Sequence, residues 1–223
     1  MPEQLPLPLP VRTARGREDC FVSASNASAV AQLEAPEGWG LSRLCLVGAE
    51  GAGKSHLTGI WATERDAVTL HAGDLPEADL FDLATAPAIA LEDTDALVVA
   101  AETPLFHLIN LCQERRCPLL MTSVAPPARW SVALPDLASR LAATPVALLA
   151  PPDDALLQAV TVKLFTDRQL LVGPEVVSFL VTRSERSLAA LRAHVARSDQ
   201  AALSRKRAST RRLVAEVLDN PAP

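Results

Sequence analysis

The stretch Gly48-Ala49-Glu50-Gly51-Ala52-Gly53-Lys54-Ser55 decides how the rest of the chain is read. It follows an apolar run, Leu44 to Val47, and leads into Lys54-Ser55-His56-Leu57-Thr58-Gly59-Ile60-Trp61, a succession of strand, glycine-rich turn and helix. A phosphate-binding P-loop requires that context. A polyphosphate needs many donors at short range. Glycines accept positive φ and let backbone N–H groups converge, while the helix beyond adds unpaired N–H groups and a positive dipole end. Gly48, Ala49, Glu50, Gly51, Ala52, Gly53, Lys54, Ser55 and His56 are therefore the candidate phosphate-binding residues. Lys54 is placed to reach the β- and γ-phosphates, and the Ser55 hydroxyl to ligate Mg²⁺.

Outward from this loop, apolar runs alternate with helical patterns. Upstream, Ser25-Asn26 reads as a helix cap and Pro36-Glu37-Gly38-Trp39-Gly40 as a break. Downstream come Val68 to Leu70, a helical pattern from about Glu77 to Leu83, and Ala88 to Leu91 ending in Glu92-Asp93. A helix near Pro104 to Glu114, the run Leu119 to Met121 ending in Thr122-Ser123, a helix around Asp136 to Leu141, and the run Val146 to Leu149 follow. Nearly continuous apolar strands alternating with helices indicate a parallel sheet covered on both faces. Beyond Pro151-Pro152 only helical patterns recur: Asp153 to Arg168, Pro174 to Arg183, Ser187 to about Lys206, and Thr210 to Leu218. The expected organisation is an extended tail over 1–15, an α/β nucleotide-binding domain over 16–150 and a small helical lid over 151–223.

In the 223 residues, 49% apolar content suffices for a core, and a formal charge of −5 argues against general affinity for nucleic acid. The local basic cluster Arg205, Lys206, Arg207, Arg211 and Arg212 reads as a solvated helix face. Cys20, Cys45, Cys112 and Cys117 form no CxxC pair, and His56, His71, His107 and His194 are scattered, which predicts buried free thiols and no metal cage. With no signal peptide pattern and no long apolar run, the expectation is a soluble cytoplasmic protein without membrane contact.

The tail, Met1-Pro2-Glu3-Gln4-Leu5-Pro6-Leu7-Pro8-Leu9-Pro10, alternates leucine with proline and favours an extended conformation. Its spacing fits two readings equally, a linear motif for another protein's groove or a leader packed on its own domain. Glu92 and Asp93, at a strand end some forty residues after the P-loop, stand where Mg²⁺ and water would be handled. Asp95 reads as a loop or cap residue. The hydroxyls of Thr122-Ser123 fit either a γ-phosphate contact or a turn before Pro126-Pro127. Arg140 lies on a short helix outside the expected nucleotide crevice, where an arginine is either a solvated charge or acts in a neighbouring molecule's site, and Arg186, at the start of a helix of the second domain, fits either a phosphate contact or a helix-terminal salt bridge.

Taken together, Asn26, the loop Gly48 to Ser55, Leu91-Glu92-Asp93, Leu119 to Ser123 with Pro126-Pro127, Leu134-Pro135-Asp136-Leu137-Ala138-Ser139-Arg140-Leu141 and Glu185-Arg186-Ser187-Leu188 resemble the AAA+ module of the bacterial replication initiator DnaA. The resemblance spans nearly everything from Phe21 to Leu218. DnaA continues into a helix-turn-helix domain, whereas this sequence stops at Pro223, and a DnaA-like module preceded by Gln4-Leu5-Pro6-Leu7-Pro8-Leu9 resembles the stand-alone proteins of the Hda family, HdaA included.

That resemblance implies ADP or ATP with Mg²⁺ at Lys54 and Ser55, and Glu92 and Asp93 in the Walker B position, Glu92 sharing the metal with Ser55. It also implies Arg186 as sensor 2 and Arg140 as an arginine finger offered to nucleotide on DnaA. For the tail it implies docking of Gln4, Leu5, Leu7 and Leu9 on the β sliding clamp of DNA polymerase III, which brings the protein to DNA indirectly. Two departures stand out: Glu92 replaces the usual aspartate, and Val124 occupies the place of a sensor 1 aspartate in DnaA. Valine cannot orient water, so the implied intrinsic ATPase is weak. The function implied is negative regulation of replication initiation through activation of the DnaA ATPase. The rival readings are a replication adaptor resembling a helicase loader, and a self-sufficient AAA+ ATPase. Self-association is left open.

Overall fold

The apolar runs form five strands: β1 Arg43–Gly48, β2 Val68–His71, β3 Ile89–Glu92, β4 Leu119–Ser123 and β5 Val146–Leu149. The computed structural model describes residues 20–96, 99–205 and 214–216. The strands make one sheet in the order β2-β3-β4-β1-β5 with every pairing parallel, so β1 is flanked by β4 and β5. The α/β fold with a covered parallel sheet expected from the sequence is the fold observed.

Helices α1 Ala27–Glu34, α2 Lys54–Glu64, α3 Leu80–Leu83, α4 Val99–Arg115 and α5 Pro135–Ala142 alternate with these strands. Because successive side chains of a strand point to opposite faces, a continuously apolar strand feeds two cores. On one face Leu44, Leu46, Ala90, Leu120 and Leu149 pack with Leu33 of α1 and Leu57 and Trp61 of α2, and the Trp61 ring stacks on Trp39 at 5.7 Å. On the other, Cys45, Val47, Leu91 and Met121 meet Leu105, Leu108 and Ile109 of α4 and Leu137 and Leu141 of α5. Each such leucine contributes about 1.5–3 kcal/mol of burial. The phosphate loop's helix and helix α5 thus pack on opposite faces of the sheet. β2 is an edge strand with exposed residues.

The chain divides at Pro151/Pro152 into two compact units. In the second, α6 Asp154–Thr166, α7 Pro174–Arg183 and α8 Leu188–Arg205 surround Phe165, Leu180, Leu191 and Val195, with Val214 of a helical stretch over 214–216 joining that core. Asp153 caps α6 by accepting from Leu156 N at 2.8 Å.

Three local expectations are corrected. Asn26 stands at the N-cap position of α1, its carbonyl accepting from Val30 N at 2.9 Å, but its side chain makes no cap bond: it accepts from Ser23 N at 2.7 Å and donates to Phe21 O at 2.8 Å, binding the chain before the helix instead. The helix expected over 77–83 is a 3₁₀ stretch, Ala72–Glu77, followed by the four-residue α3, because Pro76 interrupts and Asp79 starts a new turn by accepting from Phe81 N and Asp82 N. Helix α4 begins at Val99, ahead of Pro104, so Pro104 sits inside it and contributes no N–H to the ladder.

Candidate functional site

Gly51 and Gly53 have φ of 72° and 108°, the left-handed region glycine enters without a Cβ penalty. At Gly48 the requirement is space: an added Cβ would lie 2.9 Å from Leu149 Cβ and 3.2 Å from Leu149 O. The loop is closed by Ala52 N donating to Ala49 O at 3.2 Å, and Gly53 opens α2 through Leu57 N to Gly53 O at 3.0 Å. Lys54 is 9% exposed, and its Nζ donates to Gly48 O at 2.8 Å and Ala49 O at 3.2 Å, so the cation is held over its own loop by neutral carbonyls. Ala49, Glu50 and Ser55 are exposed, Ala52 is buried and His56 is half-buried.

Ser55 and Glu92 line one cleft of about 430 Å³, together with Gly59, Thr63, Asp66 and Thr69. A hydroxyl and one carboxylate beside a phosphate loop suit Mg²⁺, which keeps several waters and takes the rest of its oxygens from phosphates. Among the described residues no three His, Cys, Asp or Glu side chains gather as a protein-only metal cage. Asp93 departs from Glu92: at φ 55° its carboxylate stands 3.5 Å from His71 Nδ1, both groups exposed, while its N–H donates to Thr122 Oγ1 at 3.0 Å.

The Thr122 and Ser123 side chains are buried and used internally, Ser123 Oγ donating to Ala125 O at 2.8 Å. The exposed Val124 has its N–H, with that of Ala125, bonded to Asp95 Oδ2 at 2.7 and 3.2 Å, so Asp95 fastens the end of β4 to the end of β3. Beneath them, burial pushes the Cys45 thiol up to about 12, Ser123 Oγ at 3.3 Å opposing and the Asp95 charge adding. Cys45, Cys112 and Cys117 are buried free thiols and Cys20 is half-buried.

Arg140 lies in the last turn of α5, its guanidinium 5.6 Å from the Phe106 ring centre with Nη1 donating to Gln113 Oε1 at 3.4 Å. It lines an open cleft of about 520 Å³ with Arg43, Phe106, Gln113, Asp136 and Ser139. Among the described residues it forms no ion pair. Its carbonyl accepts from Arg43 Nη2 at 3.1 Å, and Arg43 is the first residue of β1. The P-loop begins at the other end of that six-residue strand, roughly 17 Å away at about 3.3 Å per step. Arg140 therefore stands at the opposite edge of the sheet from its own phosphate loop.

In the helical unit, Arg186 Nη2 is paired with Asp154 Oδ1 at 2.8 Å, both exposed, and Asp154 opens α6. Gln4, Leu5, Leu7 and Leu9, and the basic cluster apart from the backbone of Arg205, lie outside the described residues. Sequence reasoning missed Arg43, Glu102, Gln113 and Thr144, which hold α5. The only local signal was a charged residue heading an apolar run.

The chain has the fold of the AAA+ domains of DnaA and RuvB. It matches domain III of the Thermotoga maritima replication initiation protein DnaA with a TM-score of 0.79 at 19% identity, over 95% of this chain and 98% of that one. AMPPCP-bound DnaA from Aquifex aeolicus matches at 0.67 and 17% identity over 80% of this chain and 63% of that one, and the Thermotoga maritima RuvB Holliday junction branch migration motor at 0.68 and 15% over 94% and 72%. The chain thus spans less than two thirds of the longer DnaA chains it matches, 62% of a DnaA bound to AMPPCP and single-stranded DNA. No protein-family model and no curated protein matches it. No helix among the described residues is long and apolar enough to cross a membrane.

Proposed function

We propose that this protein is an Hda-like regulator of replication initiation that binds adenine nucleotide and the β sliding clamp and stimulates ATP hydrolysis on DnaA. The observation that carries the reading is the position of Arg140: a guanidinium with no ion-pair partner among the described residues, in an open cleft at the edge of the sheet opposite its own P-loop. An arginine so placed can neutralise transition-state charge only on a second molecule's nucleotide, and such residues supply several powers of ten elsewhere. The likeness to DnaA domain III supports the choice of partner.

In its own site, the glycine backbone and Lys54 would bind the phosphates of ADP or ATP and Ser55 and Glu92 would hold Mg²⁺, with Arg186 as the sensor 2 residue. The metal supplies charge neutralisation at the phosphates. With Val124 at the end of β4 and Asp93 turned toward His71, this site favours retention of nucleotide over turnover. The tail tethers the module to the clamp on DNA and raises its effective concentration at DnaA.

The test is the rate of ATP hydrolysis on stoichiometric DnaA-ATP, with and without this protein, in the presence of DNA-loaded clamp and ADP. Acceleration that requires the clamp and disappears in Arg140→Ala is the expected result. No acceleration under any nucleotide condition would leave an adaptor, and brisk ATP turnover by the protein alone a self-sufficient ATPase.

A further inference from the structure

We infer that Arg43 is a positioning residue for Arg140, a buried cation that fixes the last turn of α5 and keeps the Arg140 guanidinium turned outward. The inference rests on the reading of Arg140 as an arginine finger. Arg43 is 2% exposed, yet all its acceptors are neutral: Thr144 Oγ1 at 2.9 Å from Nε, Arg140 O at 3.1 Å from Nη2, and Gln113 Oε1 at 3.3 Å and Leu41 O at 3.4 Å from Nη1. A buried charge without an opposite charge is costly, so the fork of hydrogen bonds must hold it. Burial, and after it the neighbouring Arg140 charge, pull the Arg43 pKa below the usual arginine value.

The arrangement acts on Arg140 in three ways. The Arg140 carbonyl belongs to the end of a helix, where carbonyls lack an intrahelical partner, and it receives both Arg43 Nη2 and Thr144 Oγ1, the latter at 3.0 Å. A cation there also complements the negative end of the helix dipole. Gln113 Oε1 accepts from both guanidiniums, at 3.3 and 3.4 Å, tethering the two without neutralising either. The buried charge of Arg43 repels the Arg140 guanidinium, and Arg140 keeps most of its donors free for a partner's phosphates. At its other end α5 is held by the buried Glu102 carboxylate, which accepts from Ala133 N and Leu134 N at 2.9 to 3.1 Å. Donors fixed before the reaction need no reorganisation during it, and misplacement by about 1 Å costs on the order of a hundredfold.

The experiment uses the full chain with DNA-loaded clamp and DnaA-ATP, and reads the maximal stimulated rate and the half-saturating concentration for Arg140→Ala, Arg43→Lys, Thr144→Val and Gln113→Glu. Arg43→Lys keeps the charge but loses the fork. Its maximal rate is expected to fall about tenfold or more with the half-saturating concentration within about twofold. Gln113→Glu is expected to lower the maximal rate too, by giving both guanidiniums a carboxylate. If Arg140→Ala retains stimulation, the finger reading fails and this inference with it. If Arg140→Ala abolishes stimulation while Arg43→Lys and Gln113→Glu keep the wild-type maximum, the positioning role alone is overturned. A shift confined to the half-saturating concentration would make Arg43 a docking residue and would also overturn it. Should Arg43→Lys fail to fold, Thr144→Val decides, since it removes the hydroxyl linking Arg43 to Arg140 at nearly constant volume: a reduced maximum supports the inference and an unchanged one refutes it.

Discussion

Replacing Glu102 by alanine should loosen α5 at the end remote from Arg140. The carboxylate is 6% exposed and accepts from Ala133 N at 3.0 and 3.1 Å and from Leu134 N at 2.9 Å. Alanine leaves two backbone donors without partners just ahead of the helix, at about 1–3 kcal/mol for each buried one. Ala133 is itself exposed, so water restores part of the loss, and a net destabilisation of about 2–3 kcal/mol is expected. In a chain of this size each kcal/mol moves Tm by about 2–4 °C, which gives a fall of about 4–12 °C. The comparison is Asp79→Ala, which removes a similar pair of bonds, to Phe81 N and Asp82 N, from an exposed cap, for about 1 kcal/mol. Calorimetric melting of both variants decides. A Glu102→Ala protein no less stable than Asp79→Ala would refute the claim that burial makes this carboxylate the stronger fastening.

Lys54→Ala should weaken adenine nucleotide binding by at least about tenfold in titration calorimetry, because its Nζ is the buried cation over the loop; unchanged affinity would remove the phosphate-site reading. With an aromatic disulfide reagent at pH 8, the half-buried Cys20 should react first, while Cys45, its thiol pushed up to about 12, should react only as fast as the protein opens; immediate labelling of all four thiols would contradict their burial. Burial, and second the Arg197 charge, hold the His194 pKa below 6.5, with Glu185 opposing. The unfolded chain then takes up its proton first, so stability is full above about pH 6.5 and declines as pH falls below it. His194→Gln should flatten that decline in melts from pH 7.5 to 5.5, and an identical slope would show the histidine is not responsible.

The sheet was legible because the central strands β1, β3 and β4 are nearly continuous apolar runs, the pattern of burial on two faces, and the loop because its glycines and Lys54 follow such a run. Helix limits were less so. Pro104 suggested a start that α4 passes, and Asn26 looked like a cap while its amide binds Phe21 and Ser23. What holds Arg140 could not be seen, since the side-chain and carbonyl acceptors of Arg43 at Gln113, Arg140 and Thr144 lie 70 to 101 residues along the chain. Local periodicity reports which face a residue occupies, and not which distant carbonyl its side chain meets. Asp95 reaching Val124 across 29 residues is the same kind of fact.

Strand β1 is a spacer of fixed length. It is hydrogen-bonded to β4 on one side and β5 on the other and is buried along all six residues, so it can neither stretch nor slide without breaking both pairings. The phosphate loop occupies one tip and the anchor of Arg140 the other. A guanidinium reaches about 7 Å from its own Cα, well short of the strand's length. No rotamer change and no rearrangement of a surface loop brings that guanidinium to the glycine loop of its own molecule.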